Sequence, residues 1–215
     1  MTLTSSPELT ASTRTSPPLT LTRTVAVEAR KVANTVSGKA LLSLGVVLMA
    51  AFGLGNAFFP DSGTTFGRIV ATACIPGSWI VMAVSVLLVS GEFTRREAAV
   101  TFTLDPRRGR VLGAKAVVVT GLALAAACWS LIVAAVGYLV VPVLTGTTLS
   151  PSLEPSRIAV VFGGLVFTAL AGLALGLLTR NAVAPIVVML VWPTVSMLVA
   201  RSSEVAQKII AWIDL

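Results

Sequence analysis

The 215-residue chain contains no histidine. That absence removes histidine metal ligation, histidine general bases, and nucleophilic catalysis of the Ser-His-Asp or Cys-His type. Cysteine is almost absent as well. Cys74 and Cys128 each lie in an apolar run and form no C-x-x-C pair, so neither a redox nor a zinc motif is indicated. Both read as buried structural thiols. Charge is scarce: Asp, Glu, Lys and Arg make up 12% of residues, against roughly 25% in a soluble domain. A phosphate loop of the G-x-x-x-x-G-K-[ST] type is also missing, because Gly38-Lys39 has Ala33 where the first glycine belongs and Ala40 where Ser or Thr belongs. The chain therefore does not read as an ordinary soluble enzyme, and it carries no ATP site of its own.

What is present is apolar surface. Residues of the AVILMFWYC set make up 55% of the chain and the mean hydropathy is +0.92. Five runs, 41–59, 69–90, 116–144, 158–178 and 182–200, contain no Asp, Glu, Lys or Arg. Each is long enough to cross a hydrocarbon core of about 30 Å as a helix rising about 1.5 Å per residue. The expected fold is thus all-α, a polytopic membrane protein with five transmembrane helices. The third run exceeds a straight crossing, so it is expected to tilt, to project beyond the bilayer or to bend near Pro142. Pro76, Pro185 and Pro193 mark further expected kinks.

Residues 1–20, rich in Thr, Ser and Pro, read as a disordered cytoplasmic tail. Residues 21–38 follow a different pattern. Leu21, Val25, Ala29, Val32 and Val36 recur at spacings of three and four, with Arg23, Glu28, Arg30, Lys31 and Asn34 between them. This predicts either an amphipathic helix on the bilayer surface or a solvated leader. Residues 39–215 form the expected transmembrane domain. In its last stretch Val205, Ile209, Trp212 and Ile213 share one helical face, as an outer interfacial amphipathic helix would have them.

The net charge of +7 comes from 16 Lys and Arg against 9 Asp and Glu. In a soluble protein that excess would raise nucleic-acid binding; beside membrane spans it marks cytoplasmic loops, and no nucleic-acid partner is expected. With the N-terminus inside, twelve basic residues fall on the cytoplasmic side and four, Arg68, Arg157, Arg201 and Lys208, outside. The N-terminus is accordingly placed in the cytoplasm.

Within the spans the polar groups are Asn56, Thr72, Ser78, Ser85, Thr120, Ser130 and Thr168 among others, with nothing ionisable near neutral pH. Proton- and ion-coupled carriers place such a group at membrane depth, and an intramembrane hydrolase needs a base. Gly172 and Gly176 form a G-x-x-x-G in the fourth run, a spacing that permits close helix contact. The 91–115 connection is the most informative segment. Its first part fits a short helix carrying Glu92, Phe93, Arg95, Arg96, Glu97 and Phe102, stopped by Pro106. Either this helix transmits a push from a soluble partner, or the segment is a solvated loop whose arginines hold anionic headgroups.

The order of basic leader, span, short outer loop, span, "GEFTRREAAVTFTLDPRRGRVLGAK", long span and paired spans resembles the membrane subunits of type-2 ABC transporters, particularly the small actinobacterial permeases. The segment "GLLTRNAVAPIVVMLVWP" at 176–193 adds to the likeness. The resemblance implies a non-catalytic permease subunit of an ATP-driven exporter in a bacterial plasma membrane. Its implied partners are a separate ATP-binding subunit, a second permease subunit in a homo- or heterodimer, and the lipid bilayer. ATP and Mg would bind the ATPase partner, and no cofactor or metal is expected on this chain. On the same basis the leader corresponds to the elbow helix and 92–104 to the coupling helix. Glu92, Phe93, Arg95, Arg96, Glu97 and Phe102 are then the partner-coupling residues, and Arg30, Lys31, Arg107, Arg108, Arg110 and Lys115 the basic membrane anchors. Such subunits usually have six spans, so the sixth is lost here, supplied by a partner or cut off. The alternative is a non-transporting membrane scaffold or immunity-type interaction protein.

Overall fold

The computed structural model describes residues 20–61, 64–94, 108–146, 152, 154–179, 183–188, 191 and 195. Five helices organise them: α1 (Leu21–Asn34), α2 (Val36–Phe58), α3 (Phe66–Thr94), α4 (Arg108–Thr145) and α5 (Pro155–Thr179). Among the described residues there is no strand. Four helices, α2 to α5, are long and apolar enough to cross a membrane. The fifth expected span, 182–200, and the C-terminal amphipathic helix lie largely outside the described residues, of which 183–188 are helical.

Each long helix outruns the apolar run that announced it. Hydropathy stops at the first polar residue, whereas backbone hydrogen bonding continues until something caps or breaks it. Thr35 provides such a break between α1 and α2. Its backbone is extended, with φ −76° and ψ 145°, and its side chain accepts the Gly38 amide at 3.1 Å, capping α2. Gly38 is required in this corner, because a Cβ there would run into the Val32 carbonyl and the Thr35 hydroxyl. Thr65 repeats the device at the start of α3, accepting from the Arg68 amide at 3.3 Å. α4 has 38 residues and passes through Pro142 without ending, so at about 1.5 Å per residue it is about 57 Å long, well over the roughly 30 Å of a straight hydrocarbon crossing. It stops at Gly146, whose φ of +70° suits the left-handed residue that closes a helix; its amide reaches the Pro142 carbonyl at 2.9 Å.

The four long helices run antiparallel in sequence order, and α3 is the central member, packed against α2, α4 and α5. In lipid there is little hydrophobic drive between helices, so close backbone approach has to supply dispersion contacts. Small residues make that approach. Gly53 of α2 faces Val133 and Ala73, and Gly137 of α4 faces Ala57. The Gly172–Gly176 spacing is a working contact: a Cβ on Gly172 would lie 3.0 Å from the Met82 carbonyl oxygen, and one on Gly176 would lie 3.3 Å from the Val86 backbone. Thr72, Ser78, Ser85 and Ser130 donate to carbonyls of their own helices at 2.7–2.9 Å. Trp129 ties α4 to α2, its indole N–H donating to the Val46 carbonyl at 3.2 Å.

Of the two cysteines, Cys74 is buried as expected, whereas Cys128 is exposed on α4, on the side turned away from the bundle. The bundle has one basic end and one balanced end. The first joins the starts of α2 and α4 to the end of α3 and collects Lys39, Arg108 and Arg110, with α1 beside it. The second holds two exposed local pairs, Arg68–Asp61 at 3.0 Å and Arg157–Glu154 at 3.3 Å.

Gly172→Ala should lower thermal stability by about 1–3 kcal/mol through forced separation of α5 from α3. Gly121→Ala, on an exposed face with nothing near its Cβ position, should be neutral or stabilising by up to about 1 kcal/mol. Melting of the purified variants in detergent, read by intrinsic fluorescence, compares the two directly.

Candidate functional site at the basic end

The feature that stands out at the basic end is a buried carboxylate. Glu28 of α1 is 3% exposed and Lys115 of α4 is 2% exposed. The Lys115 ammonium donates to Glu28 Oε2 at 2.9 Å and to the Leu88 carbonyl of α3 at 3.3 Å. Lys31, one turn further along α1, donates to Glu28 Oε1 at 3.0 Å. Three helices therefore meet through one carboxylate and two ammonium groups. The partners are 87 residues apart in sequence.

This arrangement fixes which face of α1 meets the bundle. The stripe of Leu21, Val25, Ala29, Val32 and Val36 was expected to lie on the bilayer surface; Leu21, Ala29 and Val36 are exposed outside the bundle, and Val25 and Val32 are half-buried. Thr24, Val25, Glu28, Lys31, Val32 and Thr35 turn toward the bundle, mostly against α4. The physical reason is the carboxylate. A buried Glu is retained only beside a cation that offsets its desolvation, and Lys115 lies where α4 passes beneath α1. Leu21, Ala29 and Val36 remain on the outer flank.

The electrostatics follow from the contacts. Burial by itself pushes the Glu28 carboxyl upward, but the hydrogen bond and charge of Lys115, followed by those of Lys31, outweigh it and hold the group below its ordinary value of 4.5. A carboxylate depressed in the folded state adds stability that is fully present above the unfolded value and is lost as pH falls through the folded one.

The expected site residues are placed as follows. Lys115 was expected as a basic membrane anchor in a loop; it lies inside α4 and is buried on Glu28. Arg108 and Arg110, also expected in the 91–115 connection, belong to the first turn of α4, because nothing after Pro106 breaks the helix. Glu92 and Phe93 are in the last turn of α3 rather than in a separate short helix. Arg30 is exposed on α1, while Lys31 is half-buried on Glu28. Arg95, Arg96, Glu97, Phe102 and Arg107 lie outside the described residues. Glu28 is the residue that the sequence did not single out. Its signal was its isolation, as the one acidic residue among Arg23, Arg30, Lys31 and Lys39 in 20–60.

Among the described residues no group of His, Cys, Asp and Glu is arranged to hold a metal ion. No protein family, curated protein or solved structure matches the chain. The arrangement can do one thing chemically: fix the position of an outlying polar helix on an apolar bundle by a charge pair that tolerates little displacement.

Lys115→Met should destabilise the protein by about 3–5 kcal/mol, since it strands a buried carboxylate with Lys31 alone. Thermal melting checks this, with partial recovery expected in the swapped Glu28→Lys, Lys115→Glu protein. In the wild type the melting temperature should hold steady from neutral pH down to about 4.5 and fall below it as Glu28 protonates. That acid sensitivity should be reduced in Glu28→Gln, as a pH series of melts would reveal.

Proposed function

We propose that the chain is a non-catalytic permease subunit of an ATP-driven exporter, with its N-terminus in the cytoplasm of a bacterial cell. It forms half of a translocation pathway with a second membrane subunit, and it couples to a separate ATP-binding subunit through 92–104. The observation that carries this reading is the clamp of Glu28 on Lys115. It holds a helix outside the spans against the start of α4 and the end of α3, the two helices that border the coupling segment. A displacement imposed on that segment by a soluble partner is then transmitted to three helices together rather than absorbed by one loop.

Two further observations support the proposal. Lys and Arg are concentrated at the end of the bundle where α1 lies, as expected of the cytoplasmic side. The hydroxyls of Thr72, Ser85 and Ser130 donate to carbonyls of their own helices and the apolar runs carry no Asp, Glu, Lys or Arg, so on this reading energy for transport comes from a partner. An uncharged lining suits amphiphilic or hydrophobic cargo better than ions.

Co-purification from native membranes in mild detergent tests the proposal. The wild type should bring down a stoichiometric ATP-binding protein, and an Arg95→Glu, Arg96→Glu variant should lose it. A folded wild type that recovers no ATPase from cells expressing its neighbouring genes would replace this reading by that of a membrane scaffold.

A further inference from the structure

Beside the clamp lies a half-open cavity of about 420 Å³, lined by the α1–α2 corner and by Val84, Leu87, Leu88 and Gly91 of α3. Its volume falls in the range of roughly 300–1,000 Å³ typical of small-molecule sites. The lining is divided. Lys31 and Ser37 stand on the polar side, where α1 gives way to α2, and Leu41, Val84 and Leu87 form an apolar wall along α2 and α3. The wall residues belong to helices long and apolar enough to span a membrane, so the cavity runs from their polar boundary into their apolar part. Gly91 on α3 also lines it, and a Cβ at that position would meet nothing within 4 Å.

The chemistry of the surroundings selects the occupant. Lys31 is the one charged residue of the lining; Arg30 and Lys39, each next in sequence to a lining residue, are exposed, and Glu92 follows Gly91 on α3. An anionic group is favoured there, by about 1 kcal/mol for each Lys or Arg close to a membrane surface. An apolar wall continuous with a basic, hydroxyl-bearing mouth matches a molecule with an anionic head and a hydrocarbon chain. We propose that this cavity is a binding site for an anionic, phosphate-headed membrane lipid, its phosphate at Lys31 and Ser37 and one acyl chain along Leu41, Val84 and Leu87.

The site adjoins the clamp on both sides. Lys31 lines the cavity and donates to Glu28, and Leu88, also on its wall, gives its carbonyl to Lys115. An occupied cavity therefore braces α1, α2 and α3, and shares α1 and α3 with the clamp. The proposal depends on the membrane location of the helices and not on coupling to an ATPase, so the two stand or fall separately.

The experiment uses the full chain, purified and delipidated in a neutral detergent, titrated with phosphatidylglycerol, with phosphatidylcholine of the same acyl chains, and with inorganic phosphate. Bound lipid is read by native mass spectrometry and stabilisation by thermal melting. Phosphatidylglycerol should bind at least about fivefold more tightly than phosphatidylcholine and raise the melting temperature, with inorganic phosphate giving no comparable rise. Gly91→Leu, which fills the cavity from a position with open space, should abolish that preference while melting near the wild type without lipid. Ser37→Leu, which closes the mouth from the first turn of α2, serves as the second filling variant should Gly91→Leu fail to fold. Equal binding of the two lipids would overturn the proposal. So would an equal effect of inorganic phosphate, or an undiminished preference for phosphatidylglycerol in a folded filling variant.

Discussion

A carboxylate cannot remain charged inside an apolar bundle without a cation beside it, and the rest of this structure is arranged around that requirement. Desolvation of Glu28 and Lys115 costs several kcal/mol for each ion, recovered only with close geometry and further hydrogen bonds. Both conditions are met: the contact is 2.9 Å, Lys31 takes the second carboxylate oxygen, and the Leu88 carbonyl takes another proton of Lys115. Such a pair adds little net stability over an apolar replacement. Its effect is to specify place. With Glu28 at the centre of its inward face, α1 has one rotation and one height at which the carboxylate is satisfied, and an apolar stripe would have allowed several.

The bundle beneath obeys a different constraint. Lipid competes with protein for apolar side chains on nearly equal terms, so α3 is held by proximity rather than by hydrophobic burial. Gly172 and Gly176 bring α5 onto its backbone, and Gly45 and Gly53 give α2 close contact with Ile80 and Ala73. The two constraints meet at one end of the molecule, where α3 finishes, α4 begins and α1 docks. A segment connecting α3 to α4 is thereby joined to a three-helix junction.

The parts legible in the sequence were those governed by local pattern. The four apolar helices followed from uninterrupted hydropathy, and α1 from its three-and-four spacing, since both depend on residues close in the chain. Helix ends were less legible, because Arg108, Arg110 and Lys115 look like loop residues by polarity while their backbone continues α4. The burial of Glu28 was not legible, since its partner lies 87 residues away in sequence. Cys128 shows the converse error: an apolar neighbourhood in sequence does not say which side of a helix the bundle covers. The Gly172–Gly176 spacing was visible as a motif, but only the fold supplied Met82 and Val86 as what it packs against.

The central claim is that Glu28 and Lys115 hold α1 on the bundle. Backbone hydrogen exchange of α1 in detergent, compared between wild type and Lys115→Met, addresses it most directly, because it reads the docking of that helix rather than the stability of the whole. The account predicts slow exchange across 24–34 in the wild type. In Lys115→Met that protection should be lost while α3 and α5 stay protected, and it should return in the swapped Glu28→Lys, Lys115→Glu protein. Equal protection of α1 in wild type and Lys115→Met would contradict the account.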